Sequence, residues 1–324
     1  MLASPTPNAD ITMSEAPAVT ETLLRWSQWQ DLSEWLEPLL LNPGNSSAFV
    51  ADINRCAHTL VQLVEQDPDL AIFHIVHASP DKMARYGVLH AMHTGMLITL
   101  VGKRKDWVRP RIDSAVKAAL TMNLSITALQ IVLAQQIEPP TSEQRQAIAA
   151  HPLATWHMLR QLGVTDEDWL IAVAQHHEQP DGKGYPQGLT EINQTADALR
   201  TCDVFGAKLS PRVSRSGMLS TRAASEIFRQ RSAGYFGATI IRELGLYPPG
   251  CLVELNTGEQ AIVVRRARDP MAPEIVVLTD ELGRRRDTPV KTPTGKAHGR
   301  MVIGAAENDA AGTYFDATTV LAVL

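Results

Sequence analysis

Residues 176–186 read HHEQPDGKGYP, and this stretch decides how the rest of the chain is understood. His176 and His177 offer imidazole nitrogens, which first-row divalent metals accept as ligands. Behind them Gly182 and Gly184 permit a tight turn, Pro186 stiffens its exit, and Tyr185 presents an amphipathic ring. An ordinary surface loop has no need of those residues in that order.

Working outward, apolar residues recur at helical spacing over most of the chain. Leu23, Trp26, Trp29, Leu32, Leu36, Leu39 and Leu40 mark a helix over 21–41, kinked at Pro38 and ended by Asn42-Pro43-Gly44-Asn45. Ser46 or Ser47 is placed to cap a second helix through Phe49, Ile53, Cys56, Leu60, Leu63 and Val64, until Asp67-Pro68-Asp69 interrupts it. A third helix starts beyond that break. Leu89, Met92, Met96, Leu97, Leu100 and Val101 fall on one stripe, with His90 and His93 beside it. Further helical patterns cover 113–136, 142–162, 166–178, 195–208 and 221–244. After Tyr247-Pro248-Pro249-Gly250 the texture changes: CLVEL and AIVVRR flank the turn-like Asn256-Thr257-Gly258-Glu259 and predict a hairpin, with EIVVLTD as a third strand. The expected architecture is mainly α, a helical bundle with a small β-rich C-terminal domain. Its parts are a disordered tail over 1–20, rich in Pro, Ala, Ser and Thr, a helical region over 21–80, a central helical domain over 81–245 and the β-rich domain over 246–324.

Composition narrows the function. At 324 residues and 44% hydrophobic, the chain buries a substantial core. A formal charge of −5, from Lys+Arg 30 against Asp+Glu 35, provides no positive field to gather nucleic-acid phosphates. Cys56, Cys202 and Cys251 are widely spaced, which fits neither a disulfide framework nor a thiolate zinc cluster and points to a reducing cytoplasm. The first residues lack the pattern of a secretory signal, and no run is read as long and apolar enough to span a bilayer. The basic runs Lys103-Arg104-Lys105 and Arg284-Arg285-Arg286 read as solvated faces, and no Walker-type phosphate loop is found.

The residues HHE and DGKGYPQGL closely resemble the signature of the HD-GYP family of cyclic di-GMP phosphodiesterases. Around it, RYGVLHAMHTGMLITLVGKR resembles the family helix that supplies a first metal ligand, at His90. HPLATWHML is similar to the HPxxG stretch, with His151 as ligand and Thr155 at the position of a small residue. ALRTCDVFGAKL is similar to the closing segment, with Asp203 as last ligand. The likeness runs over about 80–245, and YPPGCLVELNTGE resembles a β-rich tail found behind many such domains. It implies an HD-domain-like helical bundle holding two or three metals, usually iron or manganese. The implied metal set here is His90, His151, His176, His177 and Asp203, and the GYP loop is Asp181, Gly182, Gly184, Tyr185 and Pro186.

Where that mechanism is most exposed, the chain departs from the pattern. The family stretch AALLHDIGK reads AALTMNLSI here, so Met122 and Asn123 stand in the positions of the namesake His and Asp. Ile126 replaces a lysine expected at a substrate phosphate, and Tyr86 stands where three-metal members place a glutamate. The missing aspartate bridges two metals in the family. Two dications about 3.7 Å apart repel by roughly 18 kcal/mol at an effective dielectric of about 20, so a paired centre needs bridging anions. Asn123 is neutral, and the Met122 thioether is too soft for iron(II) or manganese. The expectation is therefore either one divalent metal, iron or manganese, or none. No catalytic residue is assigned. The leading function is a non-catalytic module that binds cyclic di-GMP or a protein, with a diguanylate cyclase (GGDEF) domain as the partner of the GYP loop and Tyr185 as an exposed anchor. The alternative is a metal-dependent phosphodiesterase acting on cyclic di-GMP or another phosphoester, and a third reading is a scaffold needing neither metal nor nucleotide.

Overall fold

The computed structural model describes residues 20–77, 83–213, 217–229, 234–306 and 315–324. Most of the tail expected over 1–20 lies outside them. Helix α1 (Glu21–Leu41) starts where the Thr20 hydroxyl accepts the Leu23 N–H, contains Pro38, and buries Trp26, Trp29, Leu32, Leu36, Leu39 and Leu40. Helix α2 (Phe49–Gln66) follows, but neither serine caps it. Its N-cap is Ala48, because the Ser46 hydroxyl is engaged with the Ala48 N–H and the Asp52 carboxylate instead. The Asp67-Pro68 break also starts helix α3 (Pro68–Val76): Asp67 accepts the Leu70 N–H at 3.0 Å, and proline is tolerated in a first turn whose N–H groups have no helical partner.

Helix α4 (Tyr86–Arg104) is the axis of the bundle and is buried almost all round, rather than along one stripe. The predicted helix over 113–136 is two helices, α5 (Arg109–Thr121) and α6 (Thr127–Gln135), divided by a tight turn at Leu124–Ile126. An 18-residue window within Arg109–Gln135 reaches a mean hydropathy of 1.5, so this stretch, contrary to expectation, has the composition of a membrane span. Here 56% of that window is buried inside the fold, and the turn interrupts it. Helix α7 (Ser142–Gln161) opens with a reciprocal cap between Thr141 and Gln144, and α8 (Glu167–Gln175) with Asp166. Asp166 also takes Lys117 at 2.6 Å and Ser114 at 2.7 Å, fixing α8 against α5. Helix α9 (Gln194–Leu209) is capped by Asn193, and the pattern read over 221–244 is described as α10 (Ser220–Arg229) and α11 (Gly234–Leu244).

The C-terminal sheet comprises β1 (Leu252–Leu255), β2 (Gln260–Arg265), β3 (Glu274–Thr279), β4 (Arg285–Thr292) and β5 (Val302–Ala305), antiparallel in the order β4-β3-β2-β1-β5. Val253 pairs with Ala261 in the expected hairpin and with Ala305 on its other side. Alternation divides the sheet: Leu252, Ile262, Val264, Val276 and Leu278 join the core formed by the helices, while Val253, Val263, Ile275 and Val277 build a second core. Asp67, buried, pairs with Arg265 at 3.1 Å and with Arg25 at 3.6 Å, and Asp69 pairs with Arg266, so charge clamps the sheet to α1 and α3. Helix α12 (Ala317–Leu321) returns to the main core through Val320 and Leu321. The two basic runs are paired locally: Lys103 with Glu65, Arg104 with Glu243, Arg284 with Asp280, and Arg286 with the buried Glu259, while Arg285 lies over Phe315.

Candidate metal centre

His151 lies in the middle of α7, next to Pro152. Proline has no N–H, so the carbonyl of Ile148, four residues back, receives no helical hydrogen bond from it. The His151 ring uses that carbonyl: Nδ1 donates to it at 2.6 Å. His176 repeats the arrangement at the end of α8, where its Nδ1 donates to the Val173 carbonyl at 2.6 Å. A neutral imidazole carries one ring proton, and with both protons on Nδ1 each Nε2 is a bare lone pair. The two Nε2 atoms face each other at 3.0 Å.

Two lone pairs at that distance repel unless a cation lies between them. A proton is a poor candidate, because burial pushes the His151 ring down to about 3, with the neighbouring His176 adding to the effect. Burial also lowers His176. A divalent metal fits better, since two nitrogens each about 2.1 Å from one ion and at right angles to it lie about 3.0 Å apart. His177 brings a third nitrogen, and the donor atoms of His151, His176 and His177 all lie within 4.8 Å of one another. The His177 ring is held well below its usual range by burial first and by His176 second.

Across the site, His90 on α4 meets Asp203 on α9, with Nε2 donating to Oδ1 at 2.7 Å. The buried His90 Nδ1 has no hydrogen-bond partner among the described residues. Burial pushes the Asp203 carboxyl up, but the His90 hydrogen bond, with the electrostatic influence of the neighbouring His90, His177 and His176 rings, outweighs it and holds the group below the usual carboxylate range. Asp203 in turn acts electrostatically on His151, His176 and His177, so the predicted ligand residues form one neighbourhood. Tyr86 lies parallel to His90, ring centroids 5.5 Å apart, and its hydroxyl accepts from Arg212 at 2.9 Å.

Met122 and Asn123 are buried between α5 and the turn. The next residues touch the His151 helix: the Ser125 hydroxyl meets that of Thr155 at 2.8 Å and donates to the His151 carbonyl at 3.3 Å. Ile126 is also buried.

The glycine-rich loop folds back onto the histidines. Gly182 has φ +71°, and a Cβ on Gly184 would lie 2.3 Å from the Gln179 nitrogen, so only glycine fits there. Tyr185, followed by a cis bond to Pro186, donates its N–H to the His177 carbonyl at 3.1 Å. Its ring stacks on His177 at 4.5 Å and is half-buried, so it faces the site rather than standing out as an exposed anchor. The loop is held by a residue to which the sequence reading gave no role. Glu178 is fully buried, and its two carboxylate oxygens accept the Gln187 and Leu189 N–H groups at 2.7 and 2.9 Å. Its place directly after the paired histidines was the available signal.

Residues 88–240 match the HD domain family model. The chain is 25% identical over 263 residues to cyclic di-GMP phosphodiesterase PA4108 of Pseudomonas aeruginosa, covering 72% of this chain and 62% of that protein. It is 20% identical over 190 residues to cyclic di-GMP phosphodiesterase PdeB of Borreliella burgdorferi, covering 57% of this chain and 50% of that one. The chain thus spans less than two thirds of the length of either curated relative. The fold is similar to that of Bd1817, an HDG"Y"P protein from Bdellovibrio bacteriovorus, with a TM-score of 0.52, 15% identity and coverage of 71% and 72% of the two chains. Together with the HHE and DGKGYP residues, the family model and the two curated relatives support a place for residues 88–240 among HD domains of the HD-GYP kind, and the solved structure shows the same fold.

Proposed function

We propose that this chain is a signalling module that binds cyclic di-GMP, holds one divalent metal, and does not hydrolyse the nucleotide. The observation that carries the reading is the pair of Nε2 atoms on His151 and His176, each bared by a carbonyl bond at Nδ1 and facing the other at 3.0 Å. His177 supplies a third nitrogen, while Asp203, held ionised, supplies negative charge and is the group that His90 orients. Imidazole with a carboxylate suits iron or manganese. When bound, such a metal polarises a phosphoryl oxygen. Around it, Tyr185 shields the His177 ring from water and Glu178 keeps the loop in place.

Against turnover stand Met122 and Asn123, neither of which offers the anionic oxygen that a second adjacent metal requires. Cyclic di-GMP is the ligand because both curated relatives are named as its phosphodiesterases. With Tyr185 turned inward, a GGDEF-domain partner would meet the loop at Asp181 and Lys183, whose side chains are 53% and 82% exposed.

The test is elemental analysis of protein purified without added metal, followed by titration with cyclic di-GMP and chromatography of the products. One metal per chain, nucleotide binding and no product are expected, and Met122→His with Asn123→Asp should raise the metal content. Two chelator-resistant metals in the unmodified chain, or turnover near ~1 s⁻¹, would replace the module with a working hydrolase.

A further inference from the structure

The short connection between α4 and α5, residues 105–108, borders a cavity of about 370 Å³ together with the starts of α5 and α9. Its lining is Lys105, Asp106, Trp107, Val108, Arg111 and Gln194. The connection turns at Asp106, which takes a left-handed φ of +50°. Trp107 is firmly seated: its N–H donates to the Gly102 carbonyl at 2.9 Å, and a Cβ on Gly102 would crowd the indole at 3.1 Å. Arg111 lies over that ring, its guanidinium carbon 3.8 Å from the centroid. Nε donates to the Thr195 hydroxyl at 3.1 Å, and Nη2 to the Gln194 side-chain oxygen at 2.9 Å. The other cations around this connection are matched to carboxylates: Lys103 to Glu65, Arg104 to Glu243 and Arg109 to Asp113. Arg111 is half-buried and holds two neutral oxygens instead. Among the described residues no carboxylate pairs with it and Nη1 has no hydrogen bond, while the exposed Asp168 acts on it through charge alone. Burial pulls the guanidinium down from its ordinary range, as expected where lost hydration is not replaced by an anion.

We propose that this cavity binds a nucleoside monophosphate, with Arg111 and Lys105 on its phosphate. A guanidinium fork matches phosphate oxygens, and one already fixed by stacking and two hydrogen bonds has little freedom left to lose on binding. The Asp106 carboxylate narrows the choice, because it repels a bare anion or a polyphosphate and accepts from hydroxyl or amino groups. The ligand therefore has one charged end and one end rich in donors. Val108 and the margin of the Trp107 indole offer apolar surface to a flat ring. The volume is near the lower end of the range for ligand sites, about 300–1,000 Å³, which suits one nucleotide. The cavity is also separate from the metal centre: Gln194 opens α9, and Asp203 lies well over two turns further along it, roughly 14 Å away.

Titration calorimetry of the full chain with AMP and with GMP tests this. At least one is expected to bind with a Kd below about 100 µM, and the matching nucleoside and inorganic phosphate at least ~10-fold more weakly. Arg111→Ala should weaken the nucleotide by ~10-fold or more. Because Arg111 also ties α5 to α9, Val108→Glu gives an independent reading. Its side chain is 69% exposed, so the melting temperature should stay unchanged, while the added negative charge weakens binding by ~10-fold. No binding of either nucleotide up to about 1 mM would overturn the proposal. So would a nucleoside or inorganic phosphate that binds as tightly as the nucleotide. Binding indifferent to either substitution in a folded chain would also overturn it, and would assign the nucleotide to the metal centre.

Discussion

Replacing Pro152 with alanine should stabilise the protein and weaken its hold on a metal, two effects of opposite sign from one substitution. A proline inside a helix costs about 3 kcal/mol relative to alanine. Pro152 is buried, so alanine also gives up about two methylenes of packing, at roughly 1 kcal/mol each. The balance is a gain of about 1 kcal/mol, which for a chain of this length raises the melting temperature by roughly 2 °C. The site responds differently. An alanine N–H at position 152 claims the Ile148 carbonyl, and His151 Nδ1 loses the acceptor that bares its Nε2. Losing an outer partner of a metal-bound histidine typically costs ~10–100-fold in metal affinity. Calorimetric melting of the metal-free protein and a manganese titration of the same sample measure both quantities. Affinity that stays within about twofold would refute the orientation argument. A parallel fall in affinity and melting temperature would mean that Pro152 only fills space.

Gly184→Ala should lower the melting temperature by roughly 5 °C, because the added Cβ meets the Gln179 and Glu178 backbone, which cannot swing aside like a flexible side chain; a thermal melt equal to wild type would show that the loop is not held as described. Acid should destabilise the metal-free protein well before carboxylates titrate. The His151 ring is depressed to about 3 in the folded chain against 6.5 unfolded, so its contribution is complete above pH 6.5 and is lost as the unfolded state takes up protons below that. Between pH 6.5 and pH 4.5 the loss is on the order of 2–3 kcal/mol, readable by urea unfolding at the two pH values, and a flat profile would place His151 in water.

Much of the fold was legible because local chemistry and burial agreed. Asp67-Pro68 is both a stop and a start, and the alternation in AIVV reports a strand whose two faces pack on two different cores. Failures came where tertiary packing overrode period. Helix α4 is enclosed by neighbours, so no stripe distinguishes its inner face from an outer one. The run 118–137 is apolar throughout, and nothing in its hydropathy marks the turn at Leu124–Ile126, which is stabilised by Ser125 bonding to Thr155 and the His151 carbonyl far along the chain. Ser46 had the right residue type for a cap, but Asp52 and the Ala48 N–H claimed its hydroxyl.

The site shows the same division between residue types and the atoms that direct them. A sequence identifies His151 and His176 as nitrogen donors but does not say which nitrogen is offered. That is decided by carbonyls, at Ile148 because Pro152 leaves it without a helical donor and at Val173 because α8 ends at the ring. Loop residues follow a similar logic, since the glycines permit the turn but the buried Glu178 carboxylate, gripping two N–H groups beyond it, holds the loop against the histidines. This separates two losses that a changed motif would otherwise confuse. On the proposed reading Met122 and Asn123 limit what the centre can bind, while Pro152, Glu178 and Gly184 aim and enclose the other donors. Their presence is why a single metal, rather than an empty pocket, is the reading to test first.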